Sequence, residues 1–428
     1  MNTYNIRPPH KPISIVTAHE KIEPGGALFM ALKHGSELTK AKSLGIFSIV
    51  TSDDQALEKI KTLGIEITDD FIEKIVVFRV RDLGKLKAIT SFFAYKISSN
   101  LRSNIEKSGS EIVHLHKIHF AQIPILKALR GYRVYHTAHD FGILCPLTAA
   151  VRVSDSQACS LAAGVHCSRN CRVNLLSAAF YWIRQRIMFA HFKALKISVI
   201  APSEALKKYL EKSAPVKLSH FHVRNPVDRQ MRVNNLEIIE RKLNAYRSRL
   251  ISVIYAGSLS TNKGAHLLPA IFAAIHGSFK EIGIEAEFSI FGEGPLQQVI
   301  SEKFSEDVLK IKCSLNSFVP QSQLLQVYQK SAIAVVPSMG QENQSGVLME
   351  AAVNGCLVVT TPLGGNCENF KDEFGCLWSN KNVSTFILRA FQSEDHYEKS
   401  ISAALQFASK QLSWKDYIHR LEKVYSIN

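Results

Sequence analysis

Short runs of apolar residues recur along the first half of the chain. They are "ISIVTA" from Ile13, "IFSIVT" from Ile46, "KIVVFRV" from Lys74, "EIVHLH" from Glu111, "RVYHTA" from Arg133 and "ISVIAPS" from Ile197. Each is rich in Val and Ile, and each is separated from the next by a segment long enough for a helix. Strands that are apolar on both faces are covered on both faces, so the alternation predicts a parallel sheet with helices on either side. A second series follows: "LISVIYAGS" from Leu250, "AEFSIFG" from Ala286, "IAVVPS" from Ile333 and "CLVVTT" from Cys356. The pattern predicts two successive doubly wound α/β domains. The charged stretch Arg229–Arg249, containing "NLEIIERKLNAYRSRL", lies between the series and reads as a linker with its own helix. The expected domains are residues 1–228 and 229–408, with a closing helix in residues 409–428. In open parallel sheets ligands sit beyond the carboxyl ends of the strands, so the chemistry is sought in the loops leading into helices.

The length of 428 residues suits two cores better than one. With 46% hydrophobic and 21% charged residues the composition is globular, and no run reaches the roughly 18 apolar residues of a membrane span. "MNTYNIRPPHKPISIVTAHE" at the N-terminus lacks the apolar core and cleavage site of a secretion signal, which sets the expectation of a cytoplasmic protein. The net charge of +15 is unevenly spread: Met1–Asp228 holds 32 Lys+Arg against 18 Asp+Glu, and the remainder 20 against 19. A basic first half favours an anionic partner such as a membrane surface, a phosphorylated substrate or a nucleic acid; solubility alone is the plainer explanation.

The second half carries the motifs. In "YAGSLSTNKGAHLL" (Tyr255–Leu268), Gly257 and Ser258 end a strand, and Lys263-Gly264 precede a helix. Backbone amides can approach a phosphate there, with the lysine as counter-charge. "FGEGPL" (Phe291–Leu296) ends a strand with Gly292-x-Gly-Pro, a pattern that alone also fits an ordinary tight turn. The stretch "MGQENQSGVLMEAAVNGCLVVTTPLGGN" (Met339–Asn366) is more specific. Ser345 can cap a helix beginning near Gly346, leaving the amides of Gly346, Val347 and Leu348 to hold an anion such as a diphosphate. Glu342 then precedes the helix, where a sugar on that diphosphate would meet it. Glu350 lies inside, able to accept from two vicinal ribose hydroxyls. As an isolated pair, the two read more readily as a solvated loop residue and a first-turn helix-dipole partner.

Glu342 and Glu350 at this spacing, followed by "AAVNGCLVVTTPLGGNCE", resemble the Glu-x7-Glu motif, strand and Gly-Gly loop of the retaining glycosyltransferases of family four. Other pieces occur in that family's order. "IEPGGALFMALKHGSEL" resembles its N-terminal Gly-Gly loop and helix, "IAPSEALKKYL" its serine-led helix start, and "RNPVD" (Arg224–Asp228) the end of its first domain. Lys263 matches its diphosphate lysine and "FGEGP" its Gly-x-Gly-Pro turn. The resemblance implies the GT-B fold, an α/β architecture of two Rossmann-like doubly wound domains facing a central cleft that closes to exclude water, with the final helix packing back on the first domain. It also implies transfer of a sugar, with retention, from a nucleotide diphosphate sugar to an acceptor hydroxyl. Lys263, Ser258 and the helix amides after Ser345 would stabilise the departing diphosphate without a metal. Glu342 would hold the donor sugar, Glu350 the ribose, and His139 of "VYHTAHDFGILCP" an outer sugar hydroxyl, while Gly25 and Gly26 let their loop approach the reacting centre. His136 reads as structural. The acceptor would attack on the leaving-group face, a donor phosphate oxygen taking its proton. This chain departs from the family at Ser258, where an arginine is usual, and at "ENQS", where the family has Glu-Pro-Phe-Gly.

Two features lie outside that pattern. Cys145, Cys159, Cys167 and Cys171 are half of the chain's 8 cysteines, and similar cysteine insertions follow the His-Asp motif in a subset of these transferases. A structural zinc, reduced packing thiols and a disulfide all remain open, since spacings of thirteen, seven and three intervening residues fit no standard zinc pattern. Cys313, Cys356, Cys367 and Cys376 read as small buried residues. Next, "NLLSAAFYWIRQRIMFAHFKALK" (Asn174–Lys196) combines aromatics with cations and no acid. It reads either as a core helix or as a helix lying on an anionic bilayer, which would suit a lipid-linked or surface-polysaccharide acceptor. No nucleic acid partner is expected. The rival readings are a GT-B nucleotide-sugar epimerase or phosphorylase, and a non-catalytic binder of anionic polymer.

Overall fold

Each apolar run named above becomes a parallel strand in the computed structural model, which describes residues 12–427 apart from 24, 64, 66, 81–94, 120, 156, 228–233, 306–310 and 369–370. Asp228, residues 229–233 of the expected linker, Pro24 of the Gly-Gly loop and residues 1–11 thus lie outside the described residues. The chain forms two compact units, Met1–Asn225 with Trp414–Asn428, and Pro226–Ser413.

The first unit holds a seven-stranded sheet: β1 (Ile13–Ala18), β2 (Leu44–Thr51), β3 (Ile75–Arg79), β4 (Ile112–Leu115), β5 (Arg133–Thr137), β6 (Ser198–Ala201) and β7 (His220–His222). Its order is β3-β2-β1-β4-β5-β6-β7, with every pairing parallel. All residues of β1 and β6 are buried, as helices on both faces require. The second unit has β8 (Leu250–Ala256), β9 (Glu285–Phe291), β10 (Cys313–Asn316), β11 (Ile333–Val336), β12 (Leu357–Thr360) and β13 (Gly375–Leu377), in the parallel order β10-β9-β8-β11-β12-β13. Each chain path runs outward from a central strand, then returns to that strand's other side. The reversals fall between β1 and β4 and between β8 and β11, and such switch points open a crevice at the strand ends. Two parallel, Rossmann-like sheets are the α/β architecture that the sequence resemblance implies.

The strands that the apolar runs did not announce are β7 ("HFH"), β10 ("CSLN") and β13 ("GCL"), all at sheet edges. An edge strand is short and half solvated, so it needs no continuous apolar run.

The charged stretch before β8 is not a free linker. Asn234 accepts from the Leu236 amide at 3.1 Å and starts the helix Asn235–Arg247, which packs on the helices Gln321–Lys330 and Glu394–Ser409 of the second unit. Lys242 is buried, and its Nζ donates to Tyr328 O (3.1 Å), to Ser331 O and to Cys356 Sγ (3.6 Å). A cation at the carbonyl end of Gln321–Lys330 offsets its dipole, which gives this charge a structural use. The helix Trp414–Ser426 belongs to the first unit, where Tyr417 and Tyr425 are buried against His34 and His114.

The Asn174–Lys196 segment forms a helix with one set of apolar residues buried and another exposed. In the helix Leu175–Ala194, Met188, Phe189 and Phe192 enter the core, whereas Leu175, Leu176, Trp182 and Ile183 are exposed, Leu176 by 81%.

Candidate functional site

In the second unit, β8 leads through Gly257 and Lys263 into the turn before the helix Leu268–Glu281, and β11 leads through Ser338 and Glu342 into the helix Gly346–Val353. Because β8 and β11 are neighbours at the switch point, these loops touch: Met339 N and Gly340 N donate to Asn262 O at 2.9 and 3.1 Å. Gly264, with φ +70°, lies so close that a Cβ would stand 1.8 Å from Pro337 O. The contact brings Lys263 Nζ to Glu342 Oε1 at 2.7 Å, and Ser338 Oγ donates to the same oxygen at 2.7 Å. The Gly-Gly loop after β12 clamps the Glu342 backbone. Gly365 N donates to Glu342 O at 2.5 Å, and a Cβ on Gly364, φ +60°, would lie 2.3 Å from that carbonyl. Gly257 and Gly292 join the ends of β8 and β9, Gly257 N donating to Phe291 O at 2.9 Å, and Ser258 is exposed.

Ser345 caps the helix Gly346–Val353 as expected, but with a consequence for the anion site. Its Oγ accepts from Leu348 N at 3.4 Å, so that amide is engaged. Among the described residues the amides of Gly346 and Val347 have no partner in the chain, and Gly346 is exposed. The expected set of three amides is therefore two. Inside this helix, Glu350 Oε1 accepts from Gln321 Nε2 at 2.6 Å. Burial pushes the Glu350 carboxyl up to about 7, the Gln321 bond opposing it only in part.

The first unit gathers a different chemistry. His139 follows β5, and its Nε2 lies 2.7 Å from His116 Nδ1, whose ring in turn places Nε2 3.0 Å from His34 Nδ1. His114 is bonded to Tyr425 OH (2.5 Å) and Thr137 Oγ1 (2.7 Å). Asp140 Oδ1 accepts from Gly142 N at 2.8 Å and lies 3.6 Å from His119 Nε2. Burial would raise Asp140, but the bond to His119, its charge and the Gly142 amide outweigh it and hold the carboxyl at about 2. Burial pushes His139 down to about 4, with Lys117 and His119 adding to it and Asp140 opposing. A cavity at the ends of β4 and β5 is lined by Lys117, His119, His139 and Asp140 among others. His136 is a core residue, against Phe192 and Leu115 O. Gly25 O accepts from Phe29 N at 3.0 Å at the start of the helix Gly26–Lys40, and a Cβ at Gly26 would meet nothing within 4 Å. The sequence reading missed His34, His114 and His116. Its one signal was "HLH" at the end of a buried strand, where residues two apart share a face.

No cysteine of the described residues is in a disulfide. Cys145, Cys159, Cys167 and Cys171 are all buried, in a segment whose regular structure among the described residues is one short helix, His166–Asn170, and an isolated bridge. Burial, and then the neighbouring thiols, push Cys145 up to about 11. Burial raises the pKa of Tyr209, whose hydroxyl donates to Leu161 O in this segment at 2.9 Å. Among the described residues the group placed to hold a metal is not these four cysteines but His34, His114 and His116, whose ligand atoms lie within 4.8 Å of one another. Of the other cysteines, Cys356 and Cys376 are buried as expected, but Cys313 is half-buried and Cys367 exposed.

Comparison with known proteins bears on the second unit first. Residues 251–392 match the family model of glycosyl transferases, group 1. This group 1 domain lies wholly within Pro226–Ser413 and contains Lys263, Glu342 and Glu350. The chain is 25% identical over 179 residues to the phosphatidylinositol N-acetylglucosaminyltransferase GPI3 subunit of Saccharomyces cerevisiae, 41% of this chain and 38% of that protein's length. Solved structures align over nearly the whole chain. Anabaena HepE in complex with UDP has a TM-score of 0.66 at 14% identity, covering 97% of this chain and 99% of that one. Sucrose-phosphate synthase from Thermosynechococcus elongatus has a TM-score of 0.68 at 15% identity, covering 97% and 98%. Identities this low carry the fold, and the group 1 domain supports a glycosyltransferase.

Proposed function

We propose that the protein is a retaining glycosyltransferase of the family-four type, moving a sugar from a nucleotide diphosphate sugar to an acceptor hydroxyl. The observation that carries the reading is the Lys263–Glu342 pair beside the Gly346–Val353 helix start, at the switch point of the group 1 domain. An incoming diphosphate would compete with Glu342 for Lys263 and add the amides of Gly346 and Val347, so negative charge leaving with the diphosphate is stabilised by groups already in place. Release from Lys263 frees the Glu342 carboxylate to accept from sugar hydroxyls. Glu350, with Gln321 on one oxygen, retains acceptor capacity for a ribose. Among the described residues a Cβ on Gly26 would meet nothing within 4 Å and one on Gly25 would meet Glu23 O at 3.9 Å, which suits close approach of a ligand. This chemistry needs no metal at the diphosphate.

HepE was solved with UDP, and that makes UDP the first probe. Calorimetry should show UDP binding that Lys263→Ala and Glu350→Ala weaken at least tenfold; unaltered binding would remove the donor site from this unit. Sugar transfer to an added hydroxyl acceptor, with the anomeric configuration of product read by NMR, separates the transferase from an epimerase, a phosphorylase or a polymer binder.

The acceptor we propose is lipid-linked, at an anionic cytoplasmic membrane surface. No helix of the described residues is long and apolar enough to cross a membrane. The exposed Leu175, Leu176, Trp182 and Ile183, with Arg184 and Arg186 on the same helix, suit an interfacial contact, and the GPI3 relative is named for a phosphatidylinositol substrate. Binding to phosphatidylglycerol vesicles should vanish in a Leu176→Glu, Trp182→Glu double variant. A structural zinc on the four buried cysteines would require their sulfurs to draw together beyond their placement here, so we propose that they are reduced packing thiols. Elemental analysis of chain purified without chelator should find no zinc; one zinc per molecule would overturn that reading.

A further inference from the structure

The group His34, His114 and His116 has ligand atoms close enough for a metal, but its nitrogens are already engaged with one another and with hydroxyls. His114 spends one nitrogen on Tyr425 and the other on Thr137; His116 spends both on His34 and His139. One nitrogen of the three rings is left over: His34 Nε2, fully buried and without a hydrogen-bond partner. The rings of His116 and His139 are nearly parallel, 16° apart, with centroids 5.0 Å apart and nitrogens 2.7 Å apart. The bond therefore runs from ring edge to ring edge.

A neutral imidazole has one N–H and one lone pair. Burial drives His34 down to about 3 and His116 well below its ordinary value, so both are neutral at physiological pH. Three neutral rings in line have just two arrangements. In one, His139 Nε2–H donates to His116, His116 donates to His34, and His34 is left with an N–H at Nε2, which has no hydrogen-bond partner among the described residues. In the other, His34 Nδ1–H donates to His116 Nε2, His116 Nδ1–H donates to His139 Nε2, and the orphan at His34 is a lone pair. Among backbone groups a buried N–H without a partner is rarer than an under-satisfied acceptor, and we carry that asymmetry over to the buried imidazole. We propose that His34 and His116 are positioning residues that set a one-way imidazole chain, locking His139 as the tautomer with Nδ1–H.

Locked in this way, His139 is a donor and not a base. Its Nδ1 has no lone pair to take a proton from an acceptor hydroxyl, and its Nε2 lone pair is already occupied. What it recognises is an oxygen able to accept a hydrogen bond, such as a sugar hydroxyl or a phosphate oxygen; that the oxygen belongs to a sugar donor rests on the transferase reading above.

The test is a two-bond 1H–15N correlation spectrum of the full chain labelled with 15N-histidine, with His139 assigned by its loss in His139→Gln. The expected result is a protonated Nδ1 and unprotonated Nε2 at His139, and a shift to mixed tautomers in His34→Leu, although that change is two rings away. A protonated Nε2 at His139 in the unaltered chain, or no change in a folded His34→Leu, overturns the chain. Should His34→Leu not fold, the spectrum of the unaltered protein decides alone. The expected tautomer without any sugar transfer would overturn the transferase reading and leave the chain standing; transfer with Nε2 protonated would do the reverse.

Discussion

The two units repeat one topology and fill it with opposite chemistry. At the β1/β4 reversal the first unit buries imidazoles that burial keeps neutral: His19, His34 and His136 are pushed down to about 3, and His114 and His116 well below their ordinary value. At the β8/β11 reversal the second unit keeps an ion pair at the surface and a carboxyl pushed up to about 7. A base with a lowered pKa binds fewer protons folded than unfolded, so its unit loses stability as pH falls through about 6.5 toward 4. An acid with a raised pKa binds more, so Glu350 costs stability as pH rises from about 4.5 through about 7. One architecture thus yields two domains with opposite responses to acid.

The largest expected effect sharpens that contrast. Each neutral buried histidine costs about 1.4 kcal/mol per pH unit below its unfolded pKa, and several act together. Calorimetric melts at pH 7 and pH 5 should show the first unit's transition falling steeply while the second's rises modestly; a fall of both would break the comparison. Lys263→Ala removes a charged partner of the diphosphate, worth about 1.5–3 kcal/mol, and should weaken UDP binding about ten- to hundredfold, with no shift in the first unit's transition. Gly364→Ala places a side chain in a left-handed conformation against Glu342 O and should destabilise the second unit alone by about 1–3 kcal/mol in denaturant titrations. Glu350→Gln is the finest probe. It should stabilise the second unit by about 1–3 kcal/mol at pH 8 and hardly at all at pH 4.5, while losing UDP affinity.

The central strands were legible because a buried parallel strand must be apolar throughout, as in β1 and β12. The edges were not, since β7 is "HFH" and β10 "CSLN". The stretch Arg229–Arg249 was read as a linker with its own helix; the helix Asn235–Arg247 is there, but the burial of Lys242 against Tyr328 O was not legible, since only the fold brings that carbonyl to it. Lys263, Glu342 and Glu350 stood out by spacing and resemblance, yet the Lys263–Glu342 pair joins residues 79 positions apart. Ser345 was read as a cap, but the cap itself takes the Leu348 amide that the anion was to have used. Among the histidines, His34 gave no local sign, because its partner His116 is 82 positions away.

The first unit is also discontinuous. Tyr425 bonds His114, and Arg133 and Tyr135 donate to Tyr425 O, so the sheet whose strands come first in the chain is finished by residues that come after the whole of Pro226–Ser413. Its histidine-lined strands therefore cannot complete their packing until the intervening domain has been synthesised.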